Sequence, residues 1–311
     1  MSTLFVFPGQ GAQKPGMLHA LPQDRAVRAT VDEASAALGR DLLGLDSGPA
    51  LRSTVAAQLC LLVAGVATAR SLEAEAGPPD AVAGFSIGAY AAAVTASVLS
   101  LPDAVRLVER RARLMESAFP AGYGMLAVTG LDQRAVEALI ARAHAPAAPV
   151  YLANLNAPTQ FVAAGAGPAL ARLAELAAAA GAGGTRPVAI SVPSHCELLA
   201  DAAAALAPAF DAVALRPPRL RCYSASLARA LREPQRIAGD LAQNMALPVR
   251  WHETTLLAAE QGARLVVEMA PGHVLTRLAA AALPEALAVA AAETRADTIA
   301  ALMAREAARA G

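Results

Sequence analysis

The sequence predicts an α/β protein whose main sheet is largely parallel. Strand-like and helix-like segments alternate along most of the chain, the order that places helices over a parallel sheet. Hydrophobic residues make up 56% of the 311 residues and charged residues 17%, which is ample for a buried core. The length is compatible with one large domain that carries a smaller inserted one.

The elements predicted for the large domain lie on both sides of the chain's middle third. The capping box Ser100-Leu101-Pro102-Asp103 begins a helix that continues to about residue 118. The other predicted elements are a strand at 4–7, helices near 25–38 and 58–72, a strand at 81–85 leading into a helix from Gly88, a helix over 198–210, a strand near 220–223, a helix after Pro234 and a strand at 264–269.

The order of predicted strands and helices changes in the middle third of the chain, which is expected to form the insertion. Its elements read strand, helix, strand, strand, helix, strand, at 125–129, 133–143, 150–154, 160–164, 168–180 and 186–190. This βαββαβ order is typical of the ferredoxin-like arrangement. A Pro/Gly-rich joint at 120–124 precedes it. We therefore expect a small subdomain at 123–190 and a discontinuous large catalytic domain at 1–122 and 191–311.

Two apolar stretches approach the roughly 20 residues that a membrane span requires. One lies between Asp80 and Asp103 and the other at 53–69. Glycines, serines and a threonine interrupt the first, and neither aromatic belts nor basic clusters flank it. The second contains Gln58 and is bounded by arginines. Both are interpreted as buried core elements rather than membrane spans.

The first apolar stretch contains Gly84-Phe85-Ser86-Ile87-Gly88, the G-x-S-x-G pattern of a nucleophile elbow. In such an elbow the serine lies on a sharp strand-to-helix turn, and the flanking glycines allow the backbone to close up. The pattern alone is weak, because a glycine-kinked core element with a buried serine would read the same way. Ser86 is nevertheless the candidate nucleophile.

A serine hydroxyl needs a base, and His195 is the best placed of the five histidines. It lies in Ser191-Val192-Pro193-Ser194-His195-Cys196, between a predicted strand and a predicted helix, where the loops of an α/β sheet bind ligands. A helix-capping or core histidine remains the alternative. Cys196 is a weaker candidate nucleophile, because adjacent side chains point in different directions.

An N-terminal strand enters the loop Pro8-Gly9-Gln10-Gly11. Backbone N–H groups exposed by such a loop suit a developing oxyanion, although a plain tight turn would have the same sequence. The loop has neither Walker nor full G-x-G-x-x-G spacing, which argues against a phosphate cradle.

Arg111 falls within the apolar stripe of the helix at 101–118, about 20° from Ala104 at 100° per residue. An arginine that faces a core needs an anion. A structural salt bridge to an internal acid is the reading that the spacing favours, and a clamp for a substrate carboxylate is the functional alternative.

Composition narrows the class of protein further. The formal net charge is zero, which argues against a nucleic-acid surface. The three cysteines have no metal-ligand spacing, and the first residues have no signal-peptide pattern. We expect a cytoplasmic protein that needs neither a metal nor a bound cofactor.

Six motifs occur in a fixed order along nearly the whole chain: Phe7-Pro8-Gly9-Gln10-Gly11, Gly84-x-Ser86-x-Gly88, Arg111-x-x-x-Met115, Asn154-x-Asn156-x-Pro158, Val192-Pro193-Ser194-His195-Cys196 and Pro271-Gly272-x-Val274-Leu275. Together they resemble the malonyl-CoA:acyl carrier protein transacylases. The resemblance implies an α/β-hydrolase-like large domain with a ferredoxin-like insertion. It also implies Ser86 as nucleophile and His195 as general base and acid, with the imidazole oriented by a backbone carbonyl near 247–251. The amides of Gln10 and Ile87 would form the oxyanion hole, and Arg111 would grip the malonyl carboxylate.

The implied partners are malonyl-CoA and a phosphopantetheinylated acyl carrier protein. The elbow departs from the family pattern, because Phe85 and Ala89 replace the usual His and Glu. Gly-Phe-Ser-Ile-Gly-Ala resembles the transacylase (epsilon, or H) subunit of malonate decarboxylase. The chain is therefore expected to charge that enzyme's carrier subunit and to contact its other subunits. The alternatives are a fatty-acid-synthesis transacylase, a serine esterase or a non-catalytic scaffold.

Overall fold

The computed structural model describes residues 2–119 and 121–310, with the backbone alone for Ala310, so Pro120 of the predicted joint lies outside the described residues. The strands are β1 Thr3–Phe7, β2 Ala81–Gly84, β3 Tyr123–Thr129, β4 Val150–Ala157, β5 Gln160–Ala166, β6 Gly184–Val188, β7 Arg221–Ser224, β8 Arg229–Leu231, β9 Leu265–Glu268 and β10 Leu287–Ala290. The helices are α1 Arg25–Leu38, α2 Thr54–Ala76, α3 Gly88–Thr95, α4 Leu101–Ala118, α5 Gln133–Ala143, α6 Gly167–Ala179, α7 Ala200–Leu206, α8 Pro234–Gln243, α9 Trp251–Glu260, α10 Val274–Ala282 and α11 Ala296–Ala310.

The larger sheet has the strand order β10-β9-β1-β2-β7-β8. Neighbouring strands are parallel from β10 to β7, and β8 alone pairs antiparallel with β7. Every residue of β1, β2 and β9 is buried, because helices cover both faces of the sheet. The predicted α/β class with a parallel sheet is confirmed.

The smaller sheet has the order β4-β5-β3-β6, and all its pairs are antiparallel. With α5 and α6 it gives the βαββαβ order and the strand arrangement of the ferredoxin-like unit. Backbone hydrogen bonds tie its edge to the segment before α9: Leu155 N donates to Val249 O and Val249 N to Ala153 O, both at 2.8 Å. All four strands lie within the predicted range 123–190, and the domain boundaries themselves stay a prediction.

Helix boundaries differ from the sequence prediction in places. The helix predicted at 198–210 is shorter, since α7 ends at Leu206 and 3₁₀ turns flank it. Strand β6 begins two residues earlier than predicted, and β8, α9, α10, β10 and α11 were not predicted. Edge strands of three or four residues have too short a pattern to distinguish from loop.

By length and composition helix α2 could cross a membrane, but 94% of its most apolar 18-residue stretch is buried inside the protein. Helices α1, α3, α4 and α11 pack around it. The interpretation of 53–69 as a core helix agrees with this packing. Its polar residue Gln58 is also buried, next to the site described below.

Candidate active site

Ser86 lies on the turn between β2 and α3 with φ +57°, the strained conformation of an elbow. The glycines on either side permit this turn. A Cβ on Gly84 would lie 2.1 Å from Ala89 N, and one on Gly88 would lie 2.1 Å from Phe7 O. The absence of charge between Asp80 and Asp103 thus follows from burial of the strand, the turn and the helix.

His195 lies beside this serine, with Nε2 2.8 Å from Ser86 Oγ. Its Nδ1 is 2.8 Å from Asn244 O and 3.2 Å from Leu247 O. Because a carbonyl can only accept, Nδ1 carries the proton and Nε2 is free to accept one from the hydroxyl. Leu247 lies in the segment that the resemblance indicated. The shorter bond, to Asn244, was not anticipated.

The surroundings of His195 keep its ring neutral. The side chain is almost completely buried, and burial lowers the pKa of the imidazole to about 4, with the nearby Arg111 charge adding to the effect. A neutral imidazole at pH 7 is the form that can act as a general base. The rival nucleophile Cys196 is a thiol, since burial raises its pKa to about 11 and its Sγ contacts Pro193 O.

Ile87 follows Ser86 directly in the chain, and Gln10 lines the same cavity as Ser86. Within the part of the chain that the structure describes, neither residue's backbone amide donates a backbone hydrogen bond, so both amides are available to an oxygen on a bound substrate. The Gln10 side chain contacts Gln58 at 3.4 Å, which links the N-terminal loop to α2.

Arg111 is fully buried behind the serine. Nη1 donates to Gln58 Oε1 at 2.7 Å, and Nη2 donates to Asn244 Oδ1 at 3.1 Å and lies 3.4 Å from Ser86 Oγ. The guanidinium also lies over the Tyr90 ring at 5.9 Å. No carboxylate of residues 2–119 or 121–310 is within ion-pair distance of it. The structural salt bridge that the spacing favoured is therefore wrong, because neutral amide oxygens take the place of the acid.

A cavity of about 220 Å³ opens from Ser86 and His195 between the two sheets. Its walls include Met125 and Val162 of the small sheet and Leu275 of α10. Arg111 does not line this cavity, and its Nη2 lies 3.4 Å from Ser86 Oγ. Asn154 and Asn156, from the unexplained fourth motif, also line the cavity, and their buried Oδ1 atoms have no partner among the described residues.

A parallel α/β sheet with an elbow serine bonded to a neutral imidazole, and a cavity leading to it, defines the class of serine-dependent acyl transferases. The acyl transferase domain family matches residues 4–310. The chain belongs to the malonyl CoA-acyl carrier protein transacylase family.

Three similar proteins illustrate this membership. The Haemophilus influenzae protein named malonyl CoA-acyl carrier protein transacylase is 40% identical over 281 residues, 88% of this chain and 89% of its own length. The solved structure of the malonyl CoA-acyl carrier protein transacylase from Coxiella burnetii has a TM-score of 0.92 at 35% identity and covers 98% of both chains. A malonyl-transacylase in complex with its type II PKS acyl-carrier protein has a TM-score of 0.91 at 35% identity, covering 96% of this chain and 99% of that one.

Proposed function

We propose that this protein transfers a malonyl group from malonyl-CoA, through an ester on Ser86, to the phosphopantetheine thiol of an acyl carrier protein. The observation that carries the proposal is the 2.8 Å contact between Ser86 Oγ and His195 Nε2, directly beside a buried guanidinium that no acid of the described residues neutralises. The names of the relatives support the same substrate and the same class of acceptor.

In the first half-reaction, His195 Nε2 takes the hydroxyl proton while Ser86 Oγ attacks the thioester carbonyl. The amides of Gln10 and Ile87 hold the oxyanion of the tetrahedral intermediate. The C–S bond then breaks, and the CoA sulfur leaves as a thiol with the proton from His195. The hydrogen bond from Nδ1 to Asn244 O keeps the ring oriented throughout.

The second half-reaction reverses these steps with a different thiol. His195 deprotonates the thiol of the carrier's phosphopantetheine arm, and the sulfur attacks the seryl ester. Collapse of the intermediate returns the proton to Ser86 Oγ and releases malonyl-carrier. Nothing in this cycle consumes an oxidant or a reductant.

Arg111 gives the site its preference for malonyl. A malonyl group on Ser86 carries a free carboxylate a few bonds from Oγ, and Nη2 lies 3.4 Å from that oxygen. The carboxylate would replace the neutral acceptors of the guanidinium, because charge-assisted hydrogen bonds are roughly twice as strong as neutral ones.

Intact-mass measurement after incubation with malonyl-CoA, without an acceptor thiol, tests the chemistry. We expect a malonyl adduct on the wild type and none on Ser86→Ala, whose fold should be unchanged because the hydroxyl contributes little to packing. A stable ester on Ser86→Ala would mean that the nucleophile lies elsewhere. An esterase would instead release malonate rapidly without accumulating the adduct.

For the acceptor, the comparisons favour the fatty-acid-synthesis alternative over the malonate decarboxylase carrier that the elbow sequence indicated. The similar proteins above are named for acyl carrier protein, and none of these three names mentions malonate decarboxylase. We therefore propose an acyl carrier protein of fatty-acid-synthesis type as the preferred acceptor. We also propose that the protein acts in the cytoplasm, and cell fractionation would test this location.

The decarboxylase carrier remains a second candidate because of Phe85. This side chain lines the cavity and packs edge-on against Trp251 at 5.4 Å, so it lies where a carrier's arm would enter. Ala89 does not lie there. It lines a separate void of about 20 Å³ beside Asp240.

Comparing the two carriers at equal concentration and ionic strength tests this choice. The measured quantity is kcat/KM of the second half-reaction. A higher value with the fatty-acid carrier supports the proposal, and a higher value with the decarboxylase carrier reverses it while leaving the transacylase chemistry intact.

A further inference from the structure

We propose that Asn244 sets the selectivity for a negatively charged acyl group by holding Arg111 with a neutral amide. The inference rests on the proposed function and assigns the specificity to a residue outside the six motifs. Asn244 follows α8 directly and is 3% exposed. It is a positioning residue, since it acts on the substrate through Arg111.

The orientation of this amide follows from its partners. Arg111 has only donors, so Asn244 must turn Oδ1 toward Nη2, at 3.1 Å. Its Nδ2 then points at Ser86 O, 3.4 Å away. The backbone carbonyl of the same residue accepts from His195 Nδ1 at 2.8 Å. One residue therefore contacts the base, the backbone of the elbow serine and the guanidinium.

The Arg111 guanidinium is hydrogen-bonded, but no anion among the described residues neutralises its charge. Its hydrogen-bond acceptors among the described residues are the amide oxygens of Gln58 and Asn244 and the hydroxyl of Ser86, all neutral. Nε is buried and has no hydrogen-bond partner within residues 2–119 and 121–310. A buried cation without an anion is costly, and an anion on Ser86 removes that cost. An acyl group without a carboxylate leaves that cost in place.

An acidic side chain at either amide position would remove this advantage. Asn244→Asp is isosteric and supplies a permanent internal anion, with which the malonyl carboxylate must compete. The backbone carbonyl that orients His195 is unchanged by the substitution. We therefore expect malonyl transfer to fall more than acetyl transfer.

The experiment measures kcat/KM for acylation by malonyl-CoA and by acetyl-CoA, with the adduct identified by intact mass. In Asn244→Asp the malonyl-to-acetyl ratio should fall roughly 10- to 100-fold, the range of one charge-assisted hydrogen bond. The loss should appear mainly as a higher KM for malonyl-CoA, and any loss with acetyl-CoA should be smaller. Gln58→Glu, which places the anion at Nη1 rather than Nη2, should lower the ratio in the same way.

Two variants separate charge from packing. Asn244→Thr keeps the position neutral but has a shorter side chain and loses the Nδ2 bond, so its ratio should fall much less than that of Asn244→Asp. Gln243→Glu adds the same charge at the exposed neighbouring position and should change nothing. An unchanged ratio in folded Asn244→Asp or Gln58→Glu, or an equal fall in Asn244→Thr, overturns the inference alone. A wild type that forms no malonyl adduct overturns the proposed function and this inference with it.

Discussion

At the scale of single residues, burial decides how His195 and Arg111 behave. His195 has a pKa lowered to about 4 by burial and by the Arg111 charge, although it is bonded to two carbonyls that act in the opposite direction. Burial also lowers the pKa of Arg111, whose hydrogen-bond acceptors among the described residues are neutral. The lowered pKa of His195 gives the neutral imidazole that a general base needs, whereas the lowered pKa of Arg111 reflects the cost of burying a cation.

The pH dependence of acylation should reflect the lowered His195 pKa. Below its pKa the imidazole is protonated and cannot accept the Ser86 proton, so the rate falls as the pH falls through that value. We expect the second-order rate constant for acylation, which reports the free enzyme, to hold from pH 8 to about 5 and to fall with a midpoint near 4. Circular dichroism at each pH controls for unfolding. A midpoint near the ordinary histidine value of about 6.5 would contradict the burial argument.

Arg111 should govern acyl preference more than overall activity. In Arg111→Ala, malonyl transfer should fall sharply and acetyl transfer should change little, since the lost contact is worth ~1.5–3 kcal/mol per hydrogen bond to a charged group. Arg111→Lys should recover only part of the preference, because a point charge cannot reproduce the planar fork. The ratio of kcat/KM values for the two thioesters is the measurement, and a uniform loss on both would indicate a structural role.

At the scale of elements, the elbow depends on close approach between β1 and the start of α3. A Cβ on Gly88 would meet the carbonyls of Phe7 and Pro8 at 2.1 and 2.9 Å, and both are backbone atoms that cannot move alone. Gly239, exposed within α8, has nothing within 4 Å of the same added atom. The two glycines thus form a matched pair, one required by packing and the other free.

Gly88→Ala should destabilise the protein by about 1–3 kcal/mol or more and abolish adduct formation, because overpacking displaces the turn that carries Ser86. Gly239→Ala should stabilise it by about 0.5–1 kcal/mol, since alanine is the better helix former at an exposed interior position. Urea unfolding measures both changes. Equal stability of the two variants would show that the elbow tolerates a side chain.

At the scale of the whole molecule, Asp240 makes stability depend on pH. It lies on α8 beside the void at Ala89, and its Oδ1 is buried without a partner among the described residues. Burial raises the pKa of this carboxyl to about 6, against hydrogen bonds from Ser224 and Ser226 that lower it. The folded protein therefore binds this proton more tightly than the unfolded chain, and stability from this group is lost as the pH rises from about 4 to about 6.

Asp240→Asn should be as stable as the wild type near pH 4 and more stable above pH 6. Each pKa unit corresponds to about 1.4 kcal/mol and the pKa rises from 3.8 to about 6, so we expect a gain of about 3 kcal/mol at pH 7. His195 acts with the opposite sign over an overlapping range, because its lowered pKa makes stability rise as the pH rises toward 6.5. The difference between variant and wild type isolates the aspartate. A difference that is constant with pH would contradict the raised pKa.

Local patterns were enough to predict much of the fold and some of the site. The strand–turn–helix around Ser86 and the apolar stripe that buries Arg111 both depend on neighbours within one or two turns of the chain. The βαββαβ order could be predicted for the same reason. Edge strands β8 and β10 were missed, because a short, partly exposed strand has no pattern of its own.

The sequence by itself thus determined which residues could carry chemistry: an elbow that only glycines permit, a buried arginine, and a histidine in a loop. The tertiary structure alone decided what they contact. Gln58 and Asn244 lie 53 and 133 residues from Arg111 in the chain, so no local spacing encodes them as its partners. The expectation of an internal acid failed for the same reason. Hydrogen bonds can satisfy the guanidinium's donors without neutralising its charge, and only the folded packing determines whether amides or carboxylates reach it.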